Sequence, residues 1–261
     1  MLSYQHSYHA GNLADVHKHA VLACALAYMG QKDKPLTYLE THAGRGLYAL
    51  DASEALKTGE AAAGVERVLA ENWFKDDHPY ARVLAQVHQR YGPHAYPGSP
   101  LVAALLMRPG DRAQLAELHP QEFAALTEAM LPFDAHCRQM DGTDMALALT
   151  PPDPRRGLML IDPSYEIKAD YAALPRLIAL VNRKWNVGTI MLWYPILADH
   201  RHRVMLSELE ATNSPKALRH EVRFAPARDG HGMIGSGVFV VNAPYGLDKD
   251  AAKIGKMFAR L

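Results

Sequence analysis

The sequence predicts an α/β fold, a mostly parallel sheet covered by helices on both faces and interrupted by a helical insertion. Short runs of strand composition alternate with helical patterns along the 261 residues, and that alternation builds parallel sheets buried on both sides. Glycines or acidic residues close several of the strand runs, as at sheets that bind ligands beyond their carboxyl ends. A long helical stretch breaks the alternation once, after the first strand.

Taken in order, the segment Met1 to Gly11 is polar and histidine-rich, and Asp15 to Met29 reads as a helix. Leu36 to Thr41 is rich in strand formers and runs into a loop with Gly44 and Gly46. Ser53 to Tyr91 then reads as helical throughout, with Tyr80, Val83, Leu84, Val87 and Tyr91 at helical spacing. The chain turns at Tyr96-Pro97-Gly98 and enters a helix with Ser99 as expected N-cap and Pro100 at the first helical position. Strands follow at Ala113 to Glu117, Gly157 to Ile161, Gly188 to Trp193, Glu221 to Phe224 and Val238 to Val241, and a weaker one ends at Asp141-Gly142. The expected division is a sheet domain of residues 1–48 and 96–261 with 49–95 as an inserted helical subdomain.

Composition narrows the function classes. With 49% hydrophobic and 21% charged residues the chain reads as an ordinary folded enzyme, and no apolar run approaches membrane length, so the expectation is a cytoplasmic, monomeric protein without membrane contact. Two cysteines, Cys24 and Cys137, form no metal-spaced pair. Twenty-eight basic residues balance 28 acidic ones, which argues against gripping long nucleic acid by bulk charge. A local basic patch from Arg45, Arg155, Arg156, Arg183, Lys184, Arg201, His202 and Arg203 is an open reading, as are solvated helix faces. Fourteen histidines invite a metal, yet His17 and His19 stand two apart and cannot share a helix face, so no metal is expected.

The most informative run is Leu158-Met159-Leu160-Ile161-Asp162-Pro163-Ser164-Tyr165, a buried-strand pattern ending in an acid, a proline and an aromatic. A turn would account for Asp-Pro. Chemistry offers another account. The lone pair of a nucleobase amine is delocalised into the ring, and two acceptors at its hydrogens, the Asp162 carboxylate and the Pro163 carbonyl, would free that lone pair for attack on a methyl group. Tyr165 could stack on the base.

Here the sequence resembles the amino-methyltransferases with an Asp-Pro-Pro-Tyr type motif, and more closely the bacterial 23S ribosomal RNA adenine-N6 methyltransferase family RlmJ. The resemblance is carried by Met1-Leu2-Ser3-Tyr4, His6, His9-Ala10-Gly11-Asn12, Ala14-Asp15-Val16, Lys18-His19, Thr41-His42-Ala43-Gly44, Tyr96-Pro97-Gly98-Ser99-Pro100, Glu117-Leu118-His119-Pro120, Asp141-Gly142 and Leu192-Trp193-Tyr194-Pro195. Ser164 departs from it, standing where the family has a second proline, and the C-terminus looks shorter. The resemblance implies a Rossmann-like class I methyltransferase fold, S-adenosylmethionine as cofactor and 23S ribosomal RNA as partner. It also implies a cofactor site including Lys18, His19, His42, Ser99, Glu117, Asp141, Gly142 and Asp162. Asp162, Pro163 and Tyr165 would be catalytic, and Tyr4 would close over the RNA beside Tyr165.

The residues themselves agree in part. Glu117 ends a strand, where a carboxylate suits paired ribose hydroxyls, though a surface acid before a helix explains it as well. Asp141-Gly142 could hold an adenine amine or be a plain turn, and the loop of His42 and Gly44 could let a cofactor lie against the backbone. Two competitors remain. Gly44-Arg45-Gly46-Leu47-Tyr48-Ala49 fits a dinucleotide fingerprint and would suit an NAD or FAD oxidoreductase, but the next strand-end acid, Glu117, lies too far on. A non-enzymatic RNA-binding module would explain the N-terminus and not the acid-terminated strands.

Overall fold

The computed structural model describes residues 6–212, 216–226 and 232–261. Seven strands form one sheet: β1 (Thr37–Glu40), β4 (Arg112–Ala116), β5 (Ala135–Arg138), β6 (Gly157–Ile161), β7 (Thr189–Leu197), β8 (Leu218–Arg223) and β9 (Met233–Val241). Their order is β5-β4-β1-β6-β7-β9-β8, with the first five parallel and β9 antiparallel to both β7 and β8. A separate two-stranded ribbon pairs β2 (Leu47–Ala49) with β3 (Ala95–Pro97), antiparallel.

Period-two alternation within the strands divides the core between the two sheet faces. Tyr38, Leu158, Leu160, Met191, Val238 and Val240 point one way, into a cluster with α1 (Leu13–Gly30), α4 (Pro79–Tyr91), α5 (Ser99–Leu106), α6 (Pro120–Met130) and α10 (Leu247–Phe258). Their neighbours Leu39, Met159, Ile161, Ile190, Leu192, Phe239 and Val241 point the other way, into α7 (Gly142–Leu149), α8 (Asp170–Lys184) and α9 (His202–Glu210). β1 and β6 at the centre are buried at every position, which explains the unbroken apolar character of β6.

The chain departs from the sequence expectation at Tyr96-Pro97, read as part of a turn but lying in β3 because it pairs with Leu47 and Tyr48, and in four further places. The stretch 53–91 is not one helical run. It holds α2 (Ser53–Thr58), a π-helical turn at Ala62–Glu66, α3 (Arg67–Ala70), and then no helix until α4. Gly59 ends α2 in the left-handed conformation, and Gly64 leaves helical geometry because a Cβ there would lie 2.1 Å from the Gly11 carbonyl. Side chains of this segment, including Val65, Tyr80, Val83 and Val87, belong to the same buried cluster as α1. Second, Leu47 to Ala49 is a strand, so the glycine loop does not open a helix and presents no helix N-terminus to a pyrophosphate; the dinucleotide fingerprint lacks its structural context. Third, Gly98 and not Ser99 is the N-cap of α5. Last, β5 stops at Arg138, and Asp141 instead caps α7, its Oδ1 accepting from the Thr143 and Asp144 amides at 2.7 and 3.1 Å.

Candidate active site

At the carboxyl ends of β1, β4, β6 and β7 lies a cavity of about 470 Å³, within the size range of small-molecule sites. Every sequence-predicted site residue within the described chain lines it: Lys18, His19, His42, Gly44, Ser99, Glu117, Asp141, Gly142, Asp162, Pro163 and Tyr165. Tyr4 falls outside the described residues.

The β4 side of the cavity is built of backbone and carboxylates. Glu117 follows β4, and its two oxygens accept from the Gly44 and His119 amides, each at 2.8 Å, which fixes the carboxylate plane. Burial pushes its carboxyl above the ordinary range, against those two amides. Gly44 adopts φ +60, and Gly142 must be glycine because a Cβ there would lie 1.9 Å from the Thr41 carbonyl. That close approach seats the Asp141 cap of α7 beside the end of β1. His42 is lowered by burial, opposed by the charges of Asp162 and Asp141.

The β6 side is built around an ion-pair chain. Asp162 follows the last residue of β6, and its Oδ2 lies 2.6 Å from Lys18 Nζ on α1. Lys18 is itself buried, reaches Asp15 Oδ1 at 3.0 Å, and lies over the Trp193 ring at 5.5 Å from its centroid. Burial alone would lower the lysine, but Asp162 and Asp15 carry it above its ordinary value. Asp15 in turn accepts from the Gly11 amide at 3.0 Å and touches His6 Nε2 at 2.9 Å. His6 and Lys18 overcome the opposing effect of burial and hold its carboxyl well below the usual range. Among the described residues, Asp162 Oδ1 has no protein partner. Tyr165 stands at φ +57, is buried, and donates its hydroxyl to the Trp193 carbonyl at 2.7 Å. Its ring is therefore locked in the cavity wall.

Three buried side-chain polar atoms lack a hydrogen-bond partner among the described residues: His19 Nε2, His119 Nδ1 and Tyr171 Oη. All three residues line this one cavity. Buried polar groups are nearly always satisfied, and each exception has a cost. His19 is pushed down to about 3 by burial and by Lys18, so its imidazole is neutral, with Nδ1 3.0 Å from the Tyr96 hydroxyl.

Comparison with known proteins shows the family and the fold. Residues 33–261 match the family described as ribosomal RNA large subunit methyltransferase D, RlmJ. Ribosomal RNA large subunit methyltransferase J of Escherichia coli K12 is 41% identical over 255 residues, 95% of this chain and 90% of the relative. The chain belongs to the RlmJ family. A crystal structure of a Legionella pneumophila protein superposes with a TM-score of 0.86 at 35% identity, covering 95% of this chain and 92% of that one. The human methyltransferase 10 domain containing protein shares the fold alone, with a TM-score of 0.50 at 9% identity over 88% of this chain and 82% of its own. The Rossmann-like methyltransferase architecture expected from the resemblance is thus the observed one.

Two supporting residues escaped the sequence reading. Glu40 ends β1 fully buried, where it accepts from Ser99 Oγ at 2.5 Å and Tyr38 Oη at 2.8 Å. Ser99, free of cap duty, is held by this carboxylate at the cavity wall. Trp193 supplies both the carbonyl that locks Tyr165 and the ring beneath Lys18, and its indole donates to Ser236 Oγ at 2.9 Å. A strand-end acid was the available signal for Glu40; nothing in the spacing marked Trp193.

Proposed function

We propose that this RlmJ-family chain transfers a methyl group from S-adenosylmethionine to the N6 amine of an adenine in 23S ribosomal RNA. The observation that carries the reading is the placement of Asp162-Pro163-Ser164-Tyr165 at the end of β6, in one cavity with the Glu117 and Asp141 carboxylates.

The residues present fit the cofactor. Glu117, oriented by two amides, suits the paired ribose hydroxyls; Asp141, with Oδ1 committed to capping, has Oδ2 for an adenine amine. When bound, S-adenosylmethionine supplies a methyl made electrophilic by its positive sulfur, which needs no metal. Asp162 Oδ1 would accept a hydrogen bond from one hydrogen of the substrate amine and the Pro163 carbonyl from the other, drawing the nitrogen toward tetrahedral geometry with its lone pair free to attack; as the N–C bond forms and the S–C bond breaks, S-adenosylhomocysteine would leave and the methylated amine would give up one proton, through the Asp162 carboxylate, to solvent. Lys18 holds the other oxygen of Asp162, so the carboxylate cannot rotate away. Strong basicity is not needed, because the amine becomes acidic only as the new bond forms. Ribosomal RNA as substrate sets the work in the bacterial cytoplasm, and no described helix is long and apolar enough to cross a membrane.

The test is methylation of protein-free 23S ribosomal RNA with a radiolabelled donor, followed by nucleoside analysis. Label is expected in N6-methyladenosine, with far less on duplex DNA of matching sequence, whose adenine must first be unstacked. S-adenosylhomocysteine should raise the melting temperature and NAD should not. Label in another nucleoside, equal labelling of DNA, or stabilisation by NAD alone would each reject the reading.

A further inference from the structure

The segment between β2 and α4 has no part in the mechanism above. Its helical pieces, of six, five and four residues, are too short to hold themselves in water, and polar contacts pin them to the start of the chain. Thr58 Oγ1 donates to the Tyr8 carbonyl at 2.5 Å, Lys57 lies over the Tyr8 ring, and the Val65 amide donates to the Gly11 carbonyl at 2.8 Å. Among these contacts sits Glu60, only 8% exposed. Its Oε1 meets His9 Nδ1 at 2.9 Å and its Oε2 accepts from Asn12 Nδ2 at 3.1 Å. A carboxylate is buried at tolerable cost only where it is paired and hydrogen-bonded, so Glu60 and residues 9–12 fix one another.

That clasp leads into the ion-pair chain of the site. Asn12, its side-chain nitrogen held by Glu60, caps α1 by accepting from the Asp15 amide at 2.9 Å. Asp15 Oδ2 in turn takes the Gly11 amide at 3.0 Å and His6 Nε2 at 2.9 Å, both from the clasped segment, which leaves Oδ1 to face Lys18. One buried ammonium is thus shared by two carboxylates, 3.0 Å from Asp15 and 2.6 Å from Asp162. If residues 6–12 shift, Asp15 loses the donors on Oδ2. Its buried charge then falls to Lys18 alone, in competition with Asp162.

Resting on the function proposed above, we propose that Glu60 is a positioning residue for methyl transfer: by clasping His9 and Asn12 it keeps Asp15 supplied with its own donors, so that Lys18 stays on Asp162 and holds that carboxylate toward the substrate amine. Glu60 acts through Asp15 and touches none of the reacting atoms.

Glu60→Ala leaves His9 and Asn12 without this acceptor. In steady-state methylation of a 23S RNA fragment its kcat should fall on the order of tenfold, counted per S-adenosylhomocysteine-binding site so that unfolded chain does not enter. Its KM for RNA should stay within about twofold. Affinity for S-adenosylhomocysteine should fall much less than kcat, because Glu117 and Asp141 stand on the β4 side of the cavity. In an Asp15→Asn background, itself slower than wild type, adding Glu60→Ala should lower kcat by no more than about twofold, since residues acting through one chain are not additive. A general loosening of the fold would instead multiply the two losses. Thr58→Val keeps the side chain's shape and removes the hydroxyl that holds the Tyr8 carbonyl; it serves if Glu60→Ala does not fold, and should lower kcat about threefold with the same dependence on Asp15. A normal kcat in the variant that folds, full multiplication of its loss with that of Asp15→Asn, or cofactor affinity lost in step with kcat would overturn the assignment. Wild-type labelling in the same assay tests the proposed function separately, because the positioning role is judged on the ratio of variant to wild type.

Discussion

Glu40→Gln should make the protein more stable, and increasingly so as pH rises. Glu40 is fully buried at the end of β1. Burial pushes its carboxyl from an ordinary 4.5 up to about 8; the Asp162 charge adds to this, while hydrogen bonds from Ser99 and Tyr38 and the Lys18 charge oppose it. The folded state therefore binds this proton more tightly than the unfolded chain. Stability contributed by the protonated form is complete below about 4.5, is lost progressively as pH rises through about 8, and is level above that. At 1.36 kcal/mol per pH unit, the cost of keeping Glu40 is about 2 kcal/mol at pH 6 and about 5 kcal/mol at pH 9. Glutamine is neutral throughout and nearly isosteric. Its carbonyl can accept from one hydroxyl while its amide donates to the other, so the bonds to Ser99 and Tyr38 have replacements.

The difference in stability between variant and wild type should thus widen by about 3 kcal/mol from pH 6 to pH 9, or roughly 5–10 °C in Tm for a chain of this size. Thermal melts of both proteins, followed by circular dichroism at four or five pH values, measure it. Taking the difference cancels every other titrating group that the two proteins share. Parallel Tm profiles across that range would refute the reasoning, and so would a variant less stable than wild type at pH 9.

Three further outcomes follow from the ion-pair chain and the loop. Asp162→Ala removes the acceptor proposed for the substrate amine and should lower kcat on the order of 10²-fold in the radiolabel assay; near-normal turnover would remove Asp162 from the chemistry. Lys18→Met leaves Asp15 and Asp162 without the cation they share and should cost about 3–5 kcal/mol in urea denaturation, and an unchanged midpoint would contradict the buried pairing. Ser164 is exposed beside the acceptor carbonyl, so Ser164→Pro should fold, bind cofactor and remain active; a variant that binds cofactor yet is dead would show that this loop departs from the family's geometry.

Much of the sheet was legible in the sequence because strands buried on both faces leave unbroken apolar runs, as at Gly157–Ile161, and because acids at their ends stand out against that background. The site was legible where chemistry and position coincide, as at Asp162 and Glu117. It was not legible where tertiary contact reverses a local rule. Lys18 on α1 reads as solvated from its spacing alone, yet it is buried because Asp162, 144 positions away, meets it at 2.6 Å. Ser99 before Pro100 reads as an N-cap, yet the cap falls on Gly98 and the hydroxyl turns to Glu40. In the stretch 53–91 helical periodicity carried across Gly59 and Gly64, where the backbone leaves helical angles to admit Gly11. In each case the deciding partner is distant in sequence and absent from any local window.

A zero net charge must still be reconciled with a polyanionic substrate on the proposed function. The basic residues that composition suggested as a patch are largely engaged inside the fold. Arg45 forks onto Glu122 at 2.9 and 2.6 Å, Arg156 holds the Met29 and Lys34 carbonyls, Lys184 caps the Leu147 carbonyl at 2.7 Å, and His202 is buried. Arg155, Arg183 and Arg203 have no side-chain partner among the described residues, and Arg201 has only its exposed pair with Asp199. Of that suggested patch, then, only these four arginines remain to meet phosphates, and the patch's share of RNA affinity on the proposed function is correspondingly small. Discrimination then falls to the nucleotide that enters the cavity. There, on the proposed function, Asp162 and Pro163 would address the amine while Tyr165 presents a fixed ring, so recognition and catalysis would draw on the same few residues.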